Sequence, residues 1–219
     1  MSFKEHTVKS YDNDLKSLAA IIEEMMTLVI QSIDMISIML KSPDKSILEG
    51  IKKHDYKINI LDLEVEKKVT SILALRQPMA VDLRYIIAAL KVSTNLERVG
   101  DQAKNIIKKI SDIGDKEFKV DVEDSLQKMI EICQNMVRNS VIAFNTQNAG
   151  MADDVLKRDD EVDDIYQNLF KFADNKNFTK DQVKKIATTI LIAKSFERLA
   201  DHSTNIAEIT HLVITGKVQ

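Results

Sequence analysis

The chain is 219 residues long, with 31 Lys and Arg against 34 Asp and Glu (net charge -3), 44% apolar residues, five Gly and two Pro. That length can bury a substantial core, and the scarcity of Gly and Pro argues against a turn-rich β fold. The slight net acidity and the absence of a long Lys/Arg block give no footing for a nucleic-acid partner.

The first sixteen residues, MSFKEHTVKSYDNDLK, contain no apolar leader core. No window approaches the roughly 18 uninterrupted apolar residues of a membrane span. The expectation is a cytoplasmic protein that reaches the inner face of the membrane only through partners. From Leu15, apolar residues recur at Leu18, Ile22, Met25, Met26, Val29, Ile33, Ile36 and Leu40, the three-and-four spacing of an amphipathic helix. Ser42-Pro43-Asp44 predicts an end and a restart, with Ser42 as cap and Pro43 in the first helical position. A second helix is predicted to about Leu75, with Gly50 as a weak point. Gln77-Pro78 punctuates again, and a third helix should run from about Pro78 to Ile113, stopped at Gly114.

After residue 115 the plan repeats. Leu126, Met129, Cys133, Met136, Val137 and Phe144 reproduce the spacing of the first helix, which places the lone Cys133 in the core. Asn148-Ala149-Gly150 and Asn175-Lys176-Asn177 read as turns, and Thr179-Lys180-Asp181-Gln182 as a capping box that opens the last helix. The predicted fold is all-α: six long helices in two pseudo-repeated three-helix bundles, residues 1–115 and 116–219, each running up, down and up.

The repeat also carries chemistry. ERVGDQAKNI (97–106) returns as ERLADHSTNI (197–206), and KHDYKIN (53–59) aligns with KRDDEVD (157–163). Each unit therefore pairs Glu97 with Asp101, or Glu197 with Asp201, on its third helix, and Asp55 with Asn59, or Asp159 with Asp163, on its second. Residues four apart differ by about 40° in direction, so each pair leaves one face. Like charges at that spacing destabilise an isolated helix. Clustered carboxylates in a partly desolvated groove either take up protons or bind a cation. Oxygen donors suit Mg, Mn, Ca or Fe over structural zinc, and Asn105 and Asn205 are candidates for outer support of the ligands. Lys104, three residues past Asp101, and Lys108 favour a salt-bridged first unit. Their counterparts Thr204 and Glu208 leave the second unit as the better metal candidate. Glu208-x-x-His211 is a single copy of a motif that di-iron sites use twice, so it reads as incidental, and His202 reads as a surface residue. No nucleophile constellation or Gly-rich phosphate loop is present, which argues against an enzyme.

QPMAVDLR (77–84), LERVGD (96–101), FERLADH (196–202) and NIAE (205–208) together resemble the PhoU family over nearly the whole chain. The resemblance implies a cytoplasmic regulatory adaptor, likewise no enzyme, that joins a phosphate ABC transporter, through its ATPase, to a membrane sensor histidine kinase. Such an adaptor represses the phosphate-starvation response when phosphate is plentiful. It further implies that the acidic pairs bind metal ions, divalent or trivalent, and that the protein forms a homodimer. Asn59 departs from the family's acidic pattern by replacing a carboxylate with an amide. Arg76 and Arg84, near a helix connection, are candidate partner contacts. Competing readings are an accessory of another phosphate transporter, a carboxylate-bridged metalloenzyme, and a structural adaptor whose acids are merely solvated.

Overall fold

The computed structural model describes residues 9–113, 120–174 and 178–217. Six helices follow in chain order: α1 (Lys9–Lys41), α2 (Lys45–Arg76), α3 (Ala80–Ile113), α4 (Val120–Thr146), α5 (Ala149–Asp174) and α6 (Lys180–Thr215). Among the described residues there is no strand, and no helix is long and apolar enough to cross a membrane.

The apolar stripes read from the sequence are the buried ones. Leu15, Leu18, Ile22, Met25, Val29, Ile33 and Ile36 of α1 are inside, as are Leu126, Met129, Cys133, Met136, Val137 and Phe144 of α4. Burial also pushes the Cys133 thiol well above its usual range, so it behaves as an inert core residue. α1, α3, α6 and α4 close a ring in which each packs on the next, while α2 lies against α1 and α3, and α5 against α4 and α6. One apolar cluster runs through both three-helix units, so the repeats share a core.

Polar pins fix the ring. Tyr85 on α3 donates to Asn145 Oδ1 on α4 at 3.1 Å, and Asn145 Nδ2 donates to Glu23 Oε1 on α1 at 3.1 Å. Tyr85 also stacks on Phe144, with ring centroids 4.7 Å apart. Burying these groups costs free energy unless each is hydrogen-bonded, so the chain of bonds selects one register of three helices.

Local chemistry sets the helix ends, with some shifts from the sequence reading. Ser42 does not cap α2: its N–H still bonds Ile38 O at 2.9 Å and so belongs to the end of α1. Asp44 is the cap instead, its Oδ1 accepting from Ser46 N at 2.8 Å, so the helix begins at Lys45 and not at Pro43. α3 likewise begins at Ala80 and not at Pro78: Gln77 (φ 47°) closes α2 in the left-handed region, and Ala80 itself has φ 49°. Ala149 and Gly150 fall inside α5, with Asn148 Oδ1 accepting from Met151 N at 3.1 Å. The capping box at α6 forms, Gln182 Oε1 accepting from Thr179 N at 3.0 Å. α2 runs unbroken through Gly50, where a Cβ would lie 3.2 Å from the flexible end of the Met35 side chain. Gly114 and Asn175-Lys176-Asn177 lie outside the described residues.

Candidate functional site

In each bundle the second and third helices bring an acidic strip to their shared groove, but the cation differs. Between α2 and α3 the backbones approach where Gly100 faces Ile58; a Cβ at residue 100 would stand 3.0 Å from Ile58 Cδ1. Beside that contact Lys104 Nζ lies 2.6 Å from Asp55 Oδ1 and 2.7 Å from Asp101 Oδ1, so one ammonium ties an acid of each helix. Burial opposes its charge, but these two hydrogen bonds win and raise the Lys104 pKa. Glu97 is left on the acid side of the balance: burial raises its pKa, and the Asp101 and Asp62 charges raise it further. Asn59 and Asn105 are exposed.

Between α5 and α6 the lysine is elsewhere. Lys194 Nζ bonds Glu197 Oε1 at 2.5 Å, on its own helix, and sits 5.4 Å from the centroid of the Tyr166 ring. Its pKa rises chiefly through the Glu197 hydrogen bond. Asp159, Asp163 and Asp201 are left without a cation bridging the two helices. Burial, then the Asp201, Asp163 and Glu197 charges, push Asp159 up to about 6. Burial and the Glu197 carboxylate raise Asp163 and Asp201 in the same direction. Asp159 Oδ1 and Glu197 Oε2 are buried oxygens with no hydrogen-bond partner among the described residues. Such oxygens are costly unless something donates to them.

Asp159, Asp163, Glu197 and Asp201 thus feel one another's charge across the α5/α6 groove. Among the described residues, however, no three His, Cys, Asp or Glu side chains stand close enough to enclose a metal ion. A cation at this groove would need the carboxylates to rotate toward it. Asn205 is exposed and turned to α3, its Nδ2 at 3.4 Å from Asn95 Oδ1.

Two elements of this site are absent from the sequence reading. Asp62, seven residues past Asp55 and hence on the same face, has a buried Oδ1 without a hydrogen-bond partner among the described residues and acts on Glu97. Lys194, three residues before Glu197, neutralises it. Both spacings are visible in the sequence.

His202 is not a surface residue. It is half-buried between α3 and α6, with Nδ1 3.1 Å from Asn95 Oδ1, and burial, then the Arg98 charge, lowers its pKa. His211 is buried and turns its Nε2 to Asp153, 2.9 Å away, while Glu208 is exposed. The two candidate contact arginines carry internal bonds. Arg76 Nη2 reaches Asp14 Oδ2 at 2.9 Å, and Arg84 Nε donates to Val213 O at 2.9 Å, tying the start of α3 to the end of α6.

The PhoU domain family matches the chain twice, over residues 22–110 and 126–210. A phosphate-specific transport system accessory protein PhoU homolog of Caulobacter vibrioides is 35% identical over 214 residues, 97% of this chain and 93% of its own. The protein of that description in Zymomonas mobilis is 37% identical over 215 residues, 97% and 90% of the two chains. The crystal structure of the phosphate transport system regulatory protein PhoU from Streptococcus pneumoniae superimposes with a TM-score of 0.85, at 26% identity, covering 95% of this chain and 99% of that one. PhoU from Pseudomonas aeruginosa superimposes at 0.84, with 25% identity over 94% and 100%.

Proposed function

The chain belongs to the PhoU family, and on that premise we propose that it is a regulatory adaptor of phosphate transport. In this reading it joins the ATPase of a phosphate ABC transporter to a membrane sensor histidine kinase, from the cytoplasmic side, and holds the phosphate-starvation response off when phosphate is plentiful. The observation that carries the proposal is the double family match together with near full-length relatives described as phosphate-transport accessory proteins. No enzymatic step is part of it. Deleting the gene should derepress phosphate-responsive transcription in phosphate-rich medium, and the tagged protein should co-purify with transporter ATPase and kinase. Normal repression in the deletion strain would sink the proposal.

The acidic groove of the second bundle is proposed as a metal site, with Asp159 and Asp163 from α5 and Glu197 and Asp201 from α6 as its donors. Support comes from the orphaned oxygens on Asp159 and Glu197 and from the raised Asp159 pKa. A hard divalent cation such as Mn or Mg would supply the missing positive charge. The chain's own part is to hold four carboxyl groups on two packed helices and to keep Lys194 on Glu197 until a stronger cation arrives. The first bundle fits a metal poorly, because Lys104 already fills its groove and Asn59 offers an amide. Elemental analysis of protein purified without an affinity metal or chelator, wild type against a Glu197→Ala, Asp201→Ala double variant, tests this. Stoichiometric metal lost in the variant is expected. Metal-free wild type whose Tm does not respond to added Mn or Mg would overturn it.

A further inference from the structure

The repeated motif is Glu-Arg-x-x-Asp, and the metal reading uses its acids but not its arginines. Arg98 and Arg198 follow Glu97 and Glu197, so they leave their helices about 100° from those Glu and about 60° from Asp101 and Asp201. That turn carries Arg98 out of the α2/α3 groove and into the outer groove between α3 and α6, where it lines a cavity of about 440 Å³ with Lys91, Thr94, Asn95, Asn205 and Ile209.

The register of the two helices follows from their hydrogen bonds. Asn95 meets His202 and Asn205, while Lys109 Nζ bonds Ser195 Oγ at 2.5 Å and Leu191 O at 3.2 Å, so α3 and α6 run antiparallel. Arg98 lies across from His202, and Arg198, its repeat mate, lies about one turn further along. The Arg198 charge is felt at Lys109, whose pKa burial and then that charge lower. Lys91, Arg98, Arg198 and Lys109 therefore line up along roughly 27 Å of groove, at successive steps of about 7, 4 and 7 residues. Arg98 and Arg198 are exposed and make no ion pair or hydrogen bond among the described residues. Glu208 lines the Lys91 end of the seam, and the Arg98 and Arg198 charges also act on Glu97 and Asp201 beside them.

We propose that this seam docks an acidic amphipathic helix of a partner protein. Steps of seven and four are the repeat of a third helix laid along a helix pair, whose acids would meet the four cations in turn. The groove is also more than a charge track. Leu191 is 54% exposed at one end, and Leu90 and Ile209 line the other. Apolar ends suit the leucine stripe of an amphipathic helix, whereas a phosphate chain or a nucleic acid would leave them unused. On a protein of net charge -3, a cationic strip steers an acidic partner to one face. The proposal does not depend on a metal in either bundle.

The probe is a labelled synthetic helix of about 20 residues, long enough to span the seam, with Glu at steps of 7, 4 and 7 and Leu on the adjoining stripe. Its control replaces each Glu by Gln. In fluorescence anisotropy at low salt the wild type should bind the Glu peptide, lose affinity as salt rises, and bind the Gln peptide at least about tenfold more weakly. The Arg98→Gln, Arg198→Gln double variant should lose about tenfold toward the Glu peptide, with helicity and Tm unchanged, and Lys91→Gln should lose less. Equal binding of the two peptides, or undiminished binding by the double variant, would overturn the proposal. Stronger binding of polyphosphate or single-stranded DNA than of the Glu peptide would also overturn it, by making the seam a polyanion track.

Discussion

The two bundles exchange a lysine for a threonine at two matched positions: Lys104 faces Thr204 in the repeat alignment, and Thr94 faces Lys194. Each third helix thus keeps one lysine near its acid pair but places it on the other side. In the first bundle the lysine follows the pair and reaches back across the groove to Asp55 as well as Asp101. In the second it precedes the pair, bonds Glu197 on the same helix and rests on Tyr166, which leaves Asp159 without a cation. Tyr166 itself replaces Asp62 of the first bundle in that alignment. Similar numbers of acids and one lysine each therefore give a closed groove and an open one. The lesson is that charge count does not decide whether an acidic cluster is neutralised; the register of the cation against two helices does.

The largest effect should come from breaking the closed groove. Lys104→Met leaves Asp55, Asp101 and Glu97 facing one another and should cost about 2 kcal/mol in urea unfolding. A variant as stable as wild type would mean that the lysine closes nothing. Added Mn should then stabilise the variant more than it stabilises the first groove of the wild type.

Next is the pH dependence of the open groove. Asp159 has its folded pKa raised from 3.8 to about 6. The folded protein therefore binds more protons than the unfolded chain in that interval. The associated stability is fully present below about pH 4 and is lost as pH rises through about 6. With the shift discounted for partial solvent screening, the loss amounts to about 1–2 kcal/mol. Asp159→Asn should remove that slope, measured as the difference in urea midpoint between pH 5 and pH 7. A slope unchanged in the variant would assign it to other groups.

A smaller and sharper effect is expected from transplanting the first bundle's device. Thr204→Lys should bring an ammonium to Asp159 and Asp201 and raise stability at pH 7 by about 1 kcal/mol. It should also abolish any Tm gain from added Mn at that groove. Retained metal stabilisation would show that the two grooves do not differ in the way their lysines indicate.

The least change is expected at the helix crossing itself. Gly100→Ala gains about 1 kcal/mol of helix propensity, but its Cβ meets buried Ile58 Cδ1 at 3.0 Å, so the net should stay within about 0.5 kcal/mol of zero. The repeat position holds Ala200, where the opposite change, Ala200→Gly, should cost about 1 kcal/mol. A large loss at Gly100 would mean that the α2/α3 groove is too tight to yield.

The sequence alone determined the helices and the repeat. Both depend on local periodicity, and Leu15 to Ile36 and Leu126 to Phe144 mark their buried stripes without knowledge of any partner helix. It also placed the acids in pairs on one face, and the Lys104 contact was legible because three residues separate it from Asp101. The exact caps were less legible. Ser42 and Asp44 are both good cap residues, and the choice went to Asp44 because Ser42 N–H was already engaged by Ile38 O. What only the tertiary structure decided lies between helices. Two stripes of α6 are apolar, and it took contact with α3, α4 and α5 to bury Phe196 and Leu199 and leave Asp201 at the edge. His202 and Arg76 look like surface residues in one dimension; antiparallel packing of α3 on α6 half-buries the first, and Asp14 of α1 binds the second. A helix's period fixes which residues share a face, but a carboxylate's charge balance depends on which neighbour's cation reaches it, and that is a distance no single helix contains.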